Sequence, residues 1–335
     1  MCGVRPGVTN TAVLVNPGAG GARGRRQRDE VLQLARAHGL ACAAAASPTE
    51  VLVALRELAA AAPEWLVVDG GDGTVGLVVA ALRADERIFE REPGLILLRG
   101  GSTNMIHQEV GWRGAPAPAL RQVLVGGQRG RTRERAPLAV RADKGGPERF
   151  GFFWAGGALA QVLQEAQADA VAHPLARLGR LLRGSAQLLL RRGPFAAKRV
   201  AAGVAGEPGD VPARFATAPV ASLGTRSQGE LPVFSFVTSL RQWMFWFSGP
   251  PGAAKGLTQV VLKPGYRRWA LVAFFLGGGR VAAWMRDDFD LSVTETLSLC
   301  SDFPWVLDGE FFTAESGSCD LHFRRAAPIR FWIDG

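Results

Sequence analysis

Cysteine is scarce in this chain, and its few copies are badly placed for chemistry. Cys2, Cys42, Cys300 and Cys319 contain no C-x-x-C pair, so neither a zinc site nor a disulfide framework is supported. Long apolar runs are also missing. No stretch of about 18 consecutive apolar residues occurs, so no spanning helix is expected, and no basic segment leads into an apolar core as a secretion signal would. A cytoplasmic protein is the expectation that follows. Lysine is nearly absent, with only Lys144, Lys198, Lys255 and Lys263, so the net charge of +9 rests on arginine. Arginine excess can reflect a GC-rich genome. It also draws a protein towards anionic partners such as nucleotide phosphates and lipid headgroups. Nucleic acid is not an expected partner, because no reader motif interleaves aromatics with the basic clusters. No internal repeat is detectable. A hydrophobic content of 47% against 21% charged residues excludes wholesale disorder. At 335 residues the chain exceeds the comfortable size of one core, and two domains are expected.

Residues 65–79 are the most informative stretch. Trp65 to Val68 is an apolar run bounded by Pro63 and by glycines, which predicts a buried strand. Gly70-Gly71-Asp72-Gly73-Thr74 follows, and then Val75 to Arg83, which predicts a helix. A strand that turns through glycines into a helix N-terminus leaves bare N–H groups at the positive end of the dipole, which suits an anion. Asp72 is the odd residue there. A carboxylate beside phosphates is repulsive unless a cation or a proton transfer accounts for it. The plain alternative is a glycine turn with Asp72 as a helix cap.

Around this stretch the first part of the chain alternates in βα fashion. Strands are expected over residues 11–15, 40–46, 65–68 and 95–98, and helices over 25–38, 47–62, 75–83 and 118–125. Ser47-Pro48-Thr49-Glu50 reads as a capping box with proline at the first helical position. The alternation predicts a doubly wound, Rossmann-like parallel sheet over residues 1–130, with the loops after Val15, Val68 and Leu98 on one rim. From Arg131 the texture changes to short apolar or alternating runs separated by Gly/Pro turns: 136–141, 150–154, 199–204, 231–238, 259–263, 280–286 and 291–299. That pattern predicts an antiparallel, β-rich domain over 131–335, with a helical insertion near 158–192.

Three motifs carry a resemblance to known enzymes. Gly70-Gly71-Asp72-Gly73-Thr74 resembles the nucleotide motif of the superfamily of diacylglycerol kinases, sphingosine kinases, NAD kinases and phosphofructokinases. Asn16-Pro17-Gly18-Ala19-Gly20-Gly21 resembles the N-P-x-x-G loop of its lipid-kinase branch, and Asp308-Gly309-Glu310 the D-G-E near that branch's C-terminus. The resemblance implies an α/β nucleotide domain followed by a β-sandwich domain, with the active site in the cleft between them. It implies ATP and Mg²⁺ as cofactors, and a diacylglycerol-like lipid hydroxyl as acceptor. The implied nucleotide cradle comprises Asn16, Gly20, Gly70, Gly71, Gly73 and Thr74, joined by Ser102, Thr103 and Asn104 from a loop that resembles G-T-x-N-D. The catalytic set is Asp72, Asp308 and Glu310. Asp308 takes the base role, Glu310 faces metal or nucleotide, and Asp72 organises the phosphates, with Asp72 and Glu310 as metal ligands. Asp72 and Asp308 could exchange roles.

The chain departs from the family pattern at two points. Met105 stands where relatives carry an acidic residue, and Gly76-Leu77 replaces an Asn-Glu pair. A non-catalytic lipid- or nucleotide-binding relative is therefore one alternative. An NAD kinase-like enzyme is another, although the chain has no Asn-Asn pair. Asp308-Gly309 is also a common β-turn dipeptide. Arg23, Arg25, Arg26 and Arg28 either complement phosphates or lie on an exposed loop. His107 and His173 lack a triad-like context. The arginine series 177–192 reads as a solvated face or a membrane-surface face. The apolar run Trp243 to Phe247 is either buried or a contact for an acyl tail or bilayer. A peripheral position on the anionic inner membrane face is the corresponding expectation.

Overall fold

Four of the six strands in the main sheet of the first unit fall on the runs that the alternation marks. The computed structural model describes residues 10–19, 21–83, 87–101, 104–125, 130–142, 146–157, 160, 234–243, 247–249, 256–263, 265–301, 305–312 and 319–334. The chain divides into two compact units, one made of Met1–Pro137, Gln242–Phe245 and Ala327–Gly335, the other of Leu138–Arg241 and Trp246–Ala326.

In the first unit, strands β1 (Thr11–Val15), β2 (Ala41–Ala44), β3 (Trp65–Gly70), β4 (Gly94–Arg99), β5 (Arg131–Arg135) and β18 (Ile329–Ile333) form one sheet in the order β2-β1-β3-β4-β18-β5. Every pairing is parallel except that of β18 with β5. Helices α1 (Gly21–Ala37) and α5 (Pro116–Val125) cover one face, where Val31, Ala35, Leu120 and Val123 pack on Val13, Val67 and Ile96. Helices α2 (Pro48–Ala59) and α3 (Asp72–Arg83) pack on each other, α2 against β1 and α3 against β3. They bury Val51, Leu55 and Leu58 from α2, and Val75, Val78 and Val79 from α3. Each such buried aliphatic side chain contributes roughly 1.5–3 kcal/mol. Ser47 caps α2, accepting from Glu50 N at 3.3 Å, while the Glu50 carboxylate reaches past Ser47 to Ala46 N at 2.7 Å. A doubly wound sheet results. The connections leaving β1 and β3 run to opposite sides, so the switch point lies between these neighbouring strands.

The first sheet takes in strands from the later part of the chain. β5 and β18 were both expected within the β-rich domain beyond residue 130, yet they pair with each other, and β18 also pairs with β4. Ile329, Phe331 and Ile333 alternate inwards along β18. Alternation fixes the two faces of a strand but not the sheet it joins.

Two two-residue strands, β10 (Gln242–Trp243) and β11 (Phe247–Ser248), fall at the ends of the Trp243–Phe247 run. The second unit contains two antiparallel sheets. One has the order β13 (Phe289–Thr294), β12 (Leu257–Leu262), β9 (Phe234–Thr238), β8 (Phe153–Gly157), β15 (Trp305–Leu307) and β16 (Glu310–Phe312). The other has the order β14 (Thr296–Ser301), β17 (Cys319–Arg325), β6 (Leu138–Ala142) and β7 (Arg149–Gly151). A common core of Leu138, Val140, Trp154, Val237, Leu299, Leu307, Leu321 and Phe323 draws on both, which makes the unit a sandwich. Two strand expectations are corrected. Residues 280–286 form a 3-10 turn at Ala283–Met285 rather than a strand. The run 291–299 is two strands in different sheets, broken at Glu295. A helix that the sequence reading did not mark, α6 (Arg268–Leu276), lies between β12 and β13. The expected strand 199–204 and the helical insertion lie outside the described residues.

Candidate active site

In the first unit the loops after β1, β3 and β4 are held together by their own polar and backbone contacts. The Asn16 amide donates from Nδ2 to Thr74 Oγ1 at 2.8 Å, and its Oδ1 accepts from Gly18 N at 2.9 Å. One side chain thereby ties the loops on the two sides of the switch point. The glycines behind them are there for close approach. A Cβ at Gly101 would sit 2.5 Å from Gly71 Cα, one at Gly100 would sit 2.8 Å from Gly70 Cα, and Gly100 N donates to Gly70 O at 2.9 Å. The two glycine turns therefore touch backbone to backbone, and any side chain would part them. Asn104 adopts a left-handed φ of 50° and closes the second turn, accepting from Gly101 N at 2.9 Å and donating to Gly101 O at 2.7 Å.

Asp72 opens α3, but its carboxylate caps a different helix. Oδ2 accepts from Met105 N at 2.8 Å and Oδ1 from Ile106 N at 3.0 Å, the first two residues of α4 (Met105–Val110). Each oxygen retains a second lone pair. The acidic side chain missing at Met105 is thus irrelevant to this contact, because the backbone N–H makes it. His107, on the same helix, sets Nδ1 3.7 Å from Asp72 Oδ1 and Nε2 2.9 Å from Leu98 O.

Beneath the turns lies an ionic group that the sequence reading missed. Arg28 was grouped with Arg23, Arg25 and Arg26 as phosphate-complementing or loop residues. Arg25 and Arg26 are exposed, whereas Arg28 is buried. It donates from Nη2 to Gly100 O at 2.6 Å and stands 3.7 Å from Asp69 Oδ1. Its position was legible, since Arg28 falls on the helical stripe with Val31 and Ala35. Neither oxygen of the buried Asp69 has a hydrogen-bond partner among the described residues. Burial pushes the Asp69 carboxyl up to about 6, against the opposing pull of Arg28 and His107.

In the second unit Asp308 and Gly309 form the two-residue turn between β15 and β16, with φ of 48° and 94°. The turn dipeptide is thus real, and its aspartate is buried. Asp308 Oδ2 accepts from Phe152 N and Oδ1 from Phe153 N, both at 2.9 Å, and Asp308 N donates to Phe153 O at 2.9 Å. Gly151 makes room, because a Cβ there would lie 2.7 Å from Asp308 Oδ2. Glu310, two residues on, is half-buried. Its carboxylate has no hydrogen bond among the described residues. Desolvation holds its pKa above the ordinary glutamate range, with Arg149 opposing.

Asn16, Gly70, Gly71, Gly73, Thr74, Asn104 and Asp72 are thus gathered in the first unit, and Asp308 and Glu310 share one hairpin of the second. Gly20, Ser102, Thr103, His173 and the arginine series 177–192 lie outside the described residues, as do residues 244–246 of the aromatic run. Among the described residues no three His, Cys, Asp or Glu side chains form a metal cage. Mg²⁺ keeps several waters and binds through one or two carboxylates plus phosphate oxygens, so the remaining lone pairs of Asp72 fit it as a single protein ligand.

Residues 10–132 match the family model of the diacylglycerol kinase catalytic domain. The Asn16 loop, the Gly70–Thr74 turn and the Asn104 turn all lie inside this catalytic-domain match, whereas Asp308 and Glu310 lie beyond it. Two solved structures of a "putative diacylglycerol kinase" from Bacillus anthracis str. Sterne resemble the whole chain. One has 16% identity and a TM-score of 0.60, covering 98% of both chains. The other has 15% identity and a TM-score of 0.58, covering 97% of this chain and 96% of that one. At such identity the likeness establishes the fold, an α/β unit with a mainly parallel sheet followed by antiparallel sheets. No curated protein matches the chain.

Proposed function

We propose that the protein is an ATP- and Mg²⁺-dependent lipid kinase that phosphorylates a diacylglycerol-like hydroxyl. The observation that carries this reading is the pair of glycine turns packed backbone to backbone at the carboxyl edge of a parallel sheet, inside a segment that matches a diacylglycerol kinase catalytic domain. Such turns leave backbone N–H groups for phosphate oxygens. Asn16 and Thr74 set the spacing of the loops, and Asn104 fixes the second turn. Asp72 holds α4 against the phosphate turn and offers its remaining lone pairs to Mg²⁺, which would neutralise charge on the phosphate oxygens when bound.

In the proposed reaction the lipid hydroxyl oxygen bonds to the γ-phosphorus as the bond to the bridging oxygen breaks, releasing ADP. The hydroxyl proton passes to a carboxylate. We assign that role to Glu310 in place of Asp308, because Glu310 is unbonded among the described residues and holds a proton more readily than an ordinary glutamate. Asp308 then positions Glu310 through the hairpin. Labelled ATP with a panel of diacylglycerol, monoacylglycerol, sphingoid and isoprenoid acceptors tests the reading. Transfer to a glycerolipid is the expected result, and phosphorylation of none of the four would overturn it.

A second reading is favoured by one observation. Asp72 and Asp308 both spend their carboxylates on backbone amides, as a binding protein that has lost turnover could also do. ATP binding with no phosphorylated product across the panel would select it.

A further inference from the structure

Helix α6 of the second unit is apolar on both of its faces. After Arg268 it reads Trp-Ala-Leu-Val-Ala-Phe-Phe-Leu to Leu276, with no polar side chain. Ala270, Leu271 and Phe274 are buried, and Phe274 stacks on Phe289 of β13 with ring centroids 4.7 Å apart. The opposite stripe is open, with Trp269 55%, Val272 39% and Leu276 80% exposed. A helix that is hydrophobic all round is ordinarily buried all round. Trp284, 44% exposed on the 3-10 turn, enlarges the patch by stacking on Trp269 at 4.5 Å.

The patch is held rigidly. The Arg267 guanidinium grips the buried Asp288 from Nε at 3.0 Å and Nη2 at 2.6 Å, and Arg267 N donates to Asp288 Oδ1 at 2.7 Å. The same guanidinium donates to Trp284 O at 2.6 Å and lies 4.9 Å from the Trp269 ring. Arg267 therefore ties the Trp269 ring and the Trp284 backbone to one buried carboxylate. Gly277 N and Gly279 N close the helix on Ala273 O and Phe274 O at 2.7 and 2.9 Å, which leaves Leu276 projecting at its end.

Charge decides the class of partner. From Lys263 to Arg286 the chain carries Lys263, Arg267, Arg268, Arg280 and Arg286 and no acidic residue. Arg267 is spent on Asp288 and Lys263 on Asp290, while Arg280 and Arg286 are exposed, with Asp287 as the acidic residue beside them. Exposed tryptophans and a leucine flanked by arginines suit the boundary between headgroups and acyl chains. There indoles settle at the interface, and each basic residue gains from an anionic leaflet. No helix among the described residues is long and apolar enough to cross a membrane, so attachment through this patch would lie on the surface.

We infer that the α6–Trp284 patch is a docking surface for an anionic bilayer. The inference specifies where the proposed lipid kinase meets its lipid, and it can be tested apart from catalysis. Full-length protein is sedimented with phosphatidylcholine vesicles containing or lacking phosphatidylglycerol, at low and high salt. Wild type should bind the anionic vesicles and release with salt. Leu276→Glu and Val272→Glu/Leu276→Glu should lower the bound fraction about tenfold or more, and Arg280→Glu/Arg286→Glu should lower it on anionic vesicles alone. All three variants should melt as wild type does, because the altered side chains face outwards. Phosphorylation of an acceptor dispersed in detergent should persist in the variants. If wild type ignores the vesicles, or the Leu276 variants bind as well as wild type, the inference is wrong. It is equally wrong if wild type sediments as a dimer that Leu276→Glu splits while vesicle binding is unchanged, since a second copy then covers the face. Loss of vesicle binding in a protein that phosphorylates no lipid would leave the docking surface standing and remove the kinase reading.

Discussion

Asp72 in the first unit and Asp308 in the second have the same bonding in unrelated surroundings. Each sits beside a glycine at a turn, is buried, and accepts hydrogen bonds from two consecutive backbone amides. Asp72 receives the opening amides of helix α4, while Asp308 receives amides from the break between strands β7 and β8. Charge-assisted hydrogen bonds to amides are among the stronger ones, so both carboxylates are first of all fasteners. Glu310 differs from both. It is half-buried and unbonded among the described residues, and its pKa is raised by desolvation. The resemblance implied the base role for Asp308, whereas the partners set Asp72 and Asp308, both bonded to backbone amides, apart from Glu310.

The comparison predicts a split between activity and stability. Glu310→Gln should show the largest effect on turnover, a fall in kcat of about 10²–10⁴-fold, with the melting temperature unchanged or slightly higher because a desolvated carboxylate has gone. In wild type, kcat should rise with pH as Glu310 loses its proton, with a midpoint above the ordinary glutamate range. A variant with normal turnover would return Glu310 to the status of a turn residue.

Asp308→Ala should have the largest effect on stability. Leaving the Phe152 and Phe153 amides without this acceptor costs about 2–5 kcal/mol, readable as a lower urea midpoint. Asp308→Asn, which keeps one oxygen and tolerates the left-handed turn, should fall between alanine and wild type. Equal stability of all three forms would break the anchor reading.

Asp72→Asn should combine both effects at smaller size. One amide oxygen cannot serve two N–H donors, so about 1–2 kcal/mol of stability is lost, while phosphoryl transfer from labelled ATP drops by about 10²-fold. Intact transfer with lowered stability would make Asp72 an anchor only.

The smallest effect concerns Asp69, a buried carboxylate that lacks the amide partners of the other two. Its folded value of about 6 exceeds that of a carboxyl in the unfolded chain, so the folded form holds this proton more tightly. The contribution of Asp69 to stability is therefore complete at low pH and is lost as pH rises through about 6. Denaturation midpoints between about pH 5 and about pH 8 should decline less in Asp69→Asn than in wild type.

Much of the first unit was legible because its signals are local. Apolar runs, glycine turns and the Ser47 cap each report on a few neighbouring residues, and they sufficed for the parallel sheet and for the loops carrying Asn16, Gly70–Thr74 and Asn104. Arg28 was legible in principle, as a charge on an apolar helical stripe. Other features depended on contacts remote in sequence. Nothing within residues 329–333 indicates that β18 joins a sheet begun at Thr11. Nothing in Asp-Gly-Glu tells which acid will meet the amides of Phe152 and Phe153, more than 150 residues earlier. The sequence by itself determined the first four strands of the parallel sheet, the glycine turns after them and which carboxylates are available, because propensity, periodicity and residue chemistry belong to short stretches. Only the tertiary structure decided which of those carboxylates meets backbone amides and which is desolvated without them, because hydrogen-bond partners and desolvation are set by whatever the fold brings alongside.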